Sequence, residues 1–345
     1  REYEVLAAFY DRIYYKAENC FKYYNFINPE TEEEFNEGID YFKSHSLYDT
    51  GVDAEFGDQL LTLVTCAYHV EDGRFVVTFY NMDAASAPEP EIGENPLIRS
   101  CEVVRLDEKV RYAFTLYDPL NFYGFDLRYE TGRVIVCLRN PLKIDLSAEK
   151  PLEGVSIVLD AGHGGYEPGA PGAYISGTQQ IREKDLNLSI TIETAFLLDE
   201  LGAEIEFTRE ADVTMSLYER MDFLEEREPD LCISIHQNSI GYTTDATRVR
   251  GTLALWCMDS GHLLADCIGP AVAESLGRNF RGSDYQALAM CRNPKFPQTL
   301  IEVGFITSVE EYEKMVNGDG IRKAAEGIRD GVLAYFAKQE EFLGG

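Results

Sequence analysis

The C-terminal half of this sequence predicts an α/β fold, preceded by a mostly β N-terminal region, and three observations carry that expectation. After Gly154, short apolar runs of strand character alternate with stretches whose apolar residues recur at helical spacing. Before Gly154, the periodic segments alternate at a spacing of two and are separated by turn-rich sequence. The 345 residues, 45% of them hydrophobic, have a globular composition with enough apolar material for two cores of ordinary size.

The elements follow in order. Residues 1–82 end in β-like sequence rich in Val, Phe and Tyr, and the Ala-, Pro- and Glu-rich stretch DAASAPEPEIGENP at 83–96 reads as a linker. Residues 97–150 form a small β unit in which VRYAFTLY (111–118) and GRVIVCLR (132–139) alternate like half-buried strands around DPLNFYG and ETG. A second junction, KIDLSAEKPLEG, leads into the strand VSIVLD, which opens a domain spanning 151–340. There the helix DLNLSITIETAFLLDELG, the strand AEIEFT, the helix SLYERMDFLEER and the strands DLCISI and GTLALW succeed one another. The helix HLLADCIGPAVAESLG and the strand TLIEVGFI follow, and IRKAAEGIRDGVLAYF closes with Ile321, Ala324, Ala325, Ile328, Val332 and Phe336 on one face. A sheet covered by helices is expected.

Composition narrows the function. A net charge of −29 opposes binding to nucleic acid, whose affinity rests on Lys and Arg neutralising phosphates. No apolar run reaches the roughly 18 residues of a transmembrane segment. The eight cysteines are scattered without a C-x-x-C pair, so most read as small core residues rather than a zinc ribbon or a disulfide framework. The first residue is Arg, and no charged and apolar leader follows it, so any export signal is expected outside these residues.

The chemistry concentrates in four residues. His163, in DAGHGG, follows the strand VSIVLD, and His236, in SIHQN, follows DLCISI, so both fall at carboxyl ends of strands, where ligand sites form in open α/β sheets. Glu183, in REKDLNL, stands at the mouth of a helix, and Glu302, in TLIEVGFI, is embedded in an apolar strand. Each has a bland reading alone: a hydrogen-bonded histidine, or an acid that favours a helix N-terminus. Glu302 resists one, because an ionised carboxylate between Ile301 and Val303 is unfavourable without a partner. Together, two imidazoles and one carboxylate fill three positions of a tetrahedral zinc and leave the fourth open. A further carboxylate, for which Glu302 fits, is then needed to take a proton from an attacking water and return it to a leaving nitrogen. The glycines around His163 allow a tight turn and close approach of substrate.

DAGHGG, REKDLNL, TREAD, SLYER, SIHQN and LIEVGF, in this order over about residues 152–338, resemble the N-acetylmuramoyl-L-alanine amidase family of zinc-dependent cell-wall hydrolases. The resemblance implies a mixed sheet flanked by helices. It also implies one zinc ion held by His163, Glu183 and His236, with Glu302 as the catalytic carboxylate. The implied substrate is peptidoglycan, cut between the lactyl group of N-acetylmuramic acid and the L-alanine of the stem peptide. The implied location is extracellular or in the cell wall of a Gram-positive bacterium. LEEREPD replaces the usual Ala-Asn before the second histidine strand, and Gln237 stands where Ala is commoner; neither touches a ligand position.

A second resemblance lies in YDTGVDAEFGDQLLTLVTCAYHVEDGRFVV, which is similar to the C-terminal half of class B sortases, cysteine transpeptidases that attach proteins to cell walls. It implies Cys66 as nucleophile and Arg74 as the group stabilising the reacting carbonyl. Neither His45 nor His69 stands where that family's histidine does, so the triad is incomplete and transpeptidation is not expected. Two alternatives to the amidase remain distinguishable. A sortase-like enzyme would be sensitive to thiol reagents and indifferent to chelators, and a non-catalytic wall-binding module would bind wall fragments without releasing amino ends.

Overall fold

The computed structural model describes residues 29, 31–45, 53–56, 63–66, 74–80, 85, 87–106, 109–117, 122–130, 133–177, 179–241 and 249–343, with the backbone alone at 45, 63–66, 80, 129–130, 133–134 and 340–343. The chain divides into two compact units, residues 1–117 with 127–136 and residues 118–126 with 137–345.

In the first unit, helix α1 (Glu32–His45) begins where the Thr31 hydroxyl accepts a hydrogen bond from the Glu34 amide at 3.2 Å, with three glutamates in its first turn. Phe35, Ile39 and Phe42, spaced four and three residues apart, form its buried stripe. Strands β1 (Leu63–Cys66), β2 (Arg74–Tyr80), β3 (Ile98–Leu106) and β4 (Lys109–Leu116) make one antiparallel sheet in the order β1-β2-β4-β3. The sheet takes strands from both sides of the Pro-rich stretch, which packs along it. Tyr112 donates its hydroxyl to the Pro88 carbonyl at 2.9 Å, Arg105 pairs with Glu89 at 2.6 Å, and Ala87 is buried with Val110 and Tyr112. Strand β5 (Phe125–Glu130) pairs with β6 (Arg133–Leu138). The strands expected at 111–118 and 132–139 correspond to β4 and β6. The sequence reading lacks α1, β3 and β5; β3 is an edge strand whose exposed and half-buried positions do not alternate.

The second unit is a mixed sheet between helices. Its strands are β7 (Ser156–Ala161), β8 (Glu204–Phe207), β9 (Leu231–Asn238), β10 (Thr252–Trp256), β11 (Phe280–Tyr285) and β12 (Gln298–Phe305), in the order β11-β10-β12-β9-β7-β8. β12, β9, β7 and β8 run parallel, and β10 with β11 runs against them. The helices are α2 (Glu183–Glu200), α3 (Leu217–Arg227), α4 (Asp259–Ser275), α5 (Val309–Asn317) and α6 (Gly320–Leu343). β7, β9 and β12 read as nearly continuous apolar runs because central strands of a two-sided sheet are buried on both faces. One face packs Ile157, Leu159, Ile233, Ile235, Ile301 and Val303 into a core shared with α2, α4 and α6, where Ala324, Ile328, Val332 and Phe336 supply the stripe of α6. The opposite face packs Val158 and Cys232 against Leu224 of α3, Met290 of a short 3-10 turn, and Phe296. Strand β11 and helix α5 were not anticipated; FRGSDY lacks the apolar run of a central strand because it lies at the sheet edge.

Cys232, Cys257, Cys267 and Cys291 are free and buried, and burial pushes the Cys257 thiol up to about 11 and the Cys291 thiol up to about 12, so these are packing residues rather than nucleophiles. Among the described residues, no helix is long and apolar enough to cross a membrane.

Candidate metal centre and active site

Three segments carry the cluster. β7 ends at Ala161, and the chain turns at once through Gly162 to His163, whose φ of 63° lies in the left-handed region that non-glycine residues seldom occupy. Glu183 opens α2, and its Oε2 accepts a hydrogen bond from the Ala170 amide at 2.9 Å. His236 lies inside β9 near its carboxyl end, slightly earlier in the element than its expected place just beyond the strand. Pairing of β12 with β9 puts Glu302 directly beside His236, and in a parallel pair residues in register share a face.

Glu183 Oε1 stands 3.1 Å from His163 Nε2 and 3.1 Å from His236 Nδ1, and the two imidazole rings meet edge to face at 5.0 Å. The candidate ligand atoms of His163, Glu183 and His236 all lie within 4.8 Å of one another, so the three residues form a group able to hold a metal ion. A tetrahedral zinc with bonds of about 2.0–2.2 Å separates neighbouring ligand atoms by roughly 3.4 Å, so the donor set fits that ion in kind and spacing. Two glycines leave the room. A Cβ on Gly162 would come within 2.2 Å of His236 Nε2, and one on Gly169 within 2.6 Å of Glu183 Oε2.

The electrostatics favour a cation. Burial raises the Glu183 pKa, but hydrogen bonds from His163 and His236 outweigh it and hold the carboxyl well below its ordinary range. For His236, burial works against the charged form, while the carboxylates of Glu183 and Glu302 raise the imidazole above its ordinary value. Glu302 differs from Glu183. It is partly exposed, yet its Oε2 is sealed from solvent and has no hydrogen-bond partner among the described residues. Burial first, and the neighbouring Glu183 charge second, push it up to about 7 against the pull of the two histidines.

Beneath the cluster lies a buried ion pair. Asp160 and Arg220 are 1% and 2% exposed, and Asp160 also accepts hydrogen bonds from Thr208 at 2.6 Å and Ser234 at 2.5 Å. Asp160, Arg209 and Arg220 sit inside DAGHGG, TREAD and SLYER, but the sequence reading gave them no role. A charged residue following an apolar run, as Asp160 does, is the signal that would have marked it.

The remaining candidates lie elsewhere. Cys66 ends β1 in register with Val76, and its side chain lies outside the described residues, as do the side chain of His45 and the whole of His69. Arg74 opens β2 as an exposed side chain paired with Glu102 at 3.4 Å. His262, not a candidate, is half-buried on α4, stacked on Trp256 at 4.1 Å and facing Asp266 at 3.5 Å.

Comparison with known proteins points one way. The chain is 31% identical over 191 residues to the probable cell wall amidase LytH of Staphylococcus epidermidis, a match covering 55% of this chain and 61% of that protein. It is 29% identical over 220 residues to the N-acetylmuramoyl-L-alanine amidase LytC of Bacillus subtilis, covering 63% of this chain and 41% of that protein. It therefore spans less than two thirds of the length of either relative. The solved structure of an N-acetylmuramoyl-L-alanine amidase from Clostridium difficile 630 aligns at 27% identity with a TM-score of 0.49, covering 54% of this chain and 98% of that one. Residues 157–334, just over half of the 345, match the family profile described as N-acetylmuramoyl-L-alanine amidase, and the match includes His163, Glu183, His236 and Glu302. With that profile matched over more than half of its residues, the chain belongs to the N-acetylmuramoyl-L-alanine amidase family.

Proposed function

We propose that this protein is a zinc-dependent cell-wall hydrolase that cleaves the amide between the lactyl group of N-acetylmuramic acid and L-alanine in peptidoglycan, working outside the membrane in the wall layer. The observation that carries this reading is the pairing of a three-residue donor cluster with a carboxylate whose buried oxygen, Glu302 Oε2, has no hydrogen-bond partner among the described residues. His163, Glu183 and His236 are the residues that would hold one zinc ion. When bound, zinc polarises the scissile carbonyl and makes water acidic enough to act as a nucleophile near neutral pH.

The chain's own groups do the rest. Glu183 presents one oxygen to both imidazoles while the Ala170 amide fixes its other oxygen, so the carboxylate is oriented before any ligand arrives. Gly162 and Gly169 keep the floor of the cluster free of side chains. Glu302, held beside His236 by strand register, takes the proton from water and delivers it to the leaving alanine nitrogen. Such general acid–base catalysis is worth about 10² to 10⁴ in rate. A carboxyl raised by burial is suited to hold that proton between the two steps.

The test measures zinc content and release of L-alanine amino ends from purified peptidoglycan for wild type, His163→Ala and Glu302→Gln. Wild type should carry about one zinc and release amino ends, His163→Ala should lose both, and Glu302→Gln should keep zinc while turnover falls about 10² to 10⁴-fold. A folded wild type that binds no zinc and releases nothing would sink the proposal.

A further inference from the structure

Beneath the cluster, the geometry points to Arg209 and Arg220 as positioning residues that set its spacing; this rests on reading His163, Glu183 and His236 as a metal site. The carbonyls of residues 161, 162 and 163 all accept from these two guanidiniums. Arg209 donates from Nε to Ala161 O at 2.8 Å and from Nη2 to Gly162 O at 3.0 Å. Arg220 donates from Nη1 to Ala161 O at 3.0 Å and from Nη2 to His163 O at 2.6 Å. They hold the segment in which His163 adopts its left-handed backbone, a conformation that persists only when its surroundings enforce it.

The same groups reach the other two ligand segments. Arg209 Nη2 also donates to Lys184 O at 2.8 Å, so one nitrogen bridges the turn of His163 and the residue after Glu183. Arg220 is paired with Asp160, which accepts from Ser234, two residues before His236 on the same face of β9. All three donors are thus tied to one frame of two forks. A lysine keeps the charge but offers a single ammonium in place of the planar fork, so it cannot reproduce contacts that each guanidinium makes from two separate nitrogens at once. Packing alone does not call for this arrangement. Arg209 and Arg220 are 3% and 2% exposed, and burial first and the nearby Arg220 charge second disfavour the charged form of Arg209.

The experiment uses the full chain, stripped with a chelator, and measures zinc affinity by competition with a chromophoric chelator, the visible spectrum of the cobalt-loaded protein, and the unfolding midpoint without metal. Arg209→Lys and Arg220→Lys are each expected to weaken zinc binding about 10- to 100-fold and to shift the cobalt bands while the metal-free protein is still fully folded at the assay temperature. A purely structural role would lower the midpoint and leave affinity and spectrum unchanged, and that result in a folded variant overturns the assignment. If one variant does not fold, the other decides. Wild type and His163→Ala separate the two levels. A folded wild type that binds neither ion removes the metal reading and the positioning role together. If wild type binds, His163→Ala does not, and the lysine variants match wild type, only the positioning role falls.

Discussion

On β7, β9 and β12, one face carries Ile157, Leu159, Ile233, Ile235, Ile301 and Val303, all in the apolar core shared with α2, α4 and α6. The other face starts apolar at Val158 and Cys232 and turns polar toward the carboxyl ends at Asp160, Ser234, His236 and Glu302. The same strands therefore build stability on one side and the candidate site on the other. The polar end is itself divided. Asp160 is buried but fully engaged by Arg220, Thr208 and Ser234, whereas Glu302 keeps an oxygen that nothing described satisfies. A buried polar group with all its partners rigidifies a fold, and one without them is retained at the expense of stability, which is a mark of function.

That contrast can be broken from either face. The largest effect is expected for Glu302→Leu, which should cost at least about 10²-fold in amide cleavage. It should also raise the stability of the metal-free protein by about 1–3 kcal/mol, because an unsatisfied buried oxygen is removed. Denaturant melts beside the activity assay check this, and a destabilised variant would mean that Glu302 has a structural partner. On the apolar face, Ile235→Ala should lower stability by about 2–5 kcal/mol through a cavity, yet retain one zinc and most turnover below its melting transition. Loss of zinc from the folded variant would show that the two faces are coupled.

The smallest effect concerns the engaged carboxylate. Burial raises the Asp160 pKa, but Arg220 and the Ser234 and Thr208 hydroxyls outweigh it and leave the group below its ordinary value. A depressed folded-state pKa contributes stability that is present above the ordinary aspartate range and is lost as pH falls through the folded value. Ser234→Ala removes one donor, so it should lower stability by about 1–3 kcal/mol at neutral pH and begin acid unfolding at a higher pH than wild type. Coincident acid limbs for the two proteins would show that Asp160 does not govern that transition.

Much of this was legible in the chain. The alternation of apolar runs and helical spacing after Gly154 identified the central strands and the stripe of α6, because both periods are local properties of the backbone. β11 and β3 escaped because edge strands bury too little of either face to leave a pattern, and α1 because aromatic-rich sequence suits strand and helix alike. The four residues of the candidate site were visible as types out of keeping with their surroundings: histidines beyond apolar strands and a glutamate inside one. The arginines were not, since nothing local says that Arg209 and Arg220 turn inward to backbone carbonyls far along the chain.

The sequence by itself determined which groups this protein has for its chemistry, and where along strand and helix each stands. Only the tertiary structure decided that Glu302 meets His236 and not another neighbour, because β12 is inserted between β10 and β9 by the packing of the whole sheet. A one-residue slip of that register would turn Glu302 into the apolar core. Local periodicity fixes the face a residue takes, but strand order and register follow from long-range burial, and it is these that bring the candidate ligand atoms of His163, Glu183 and His236 within 4.8 Å of one another.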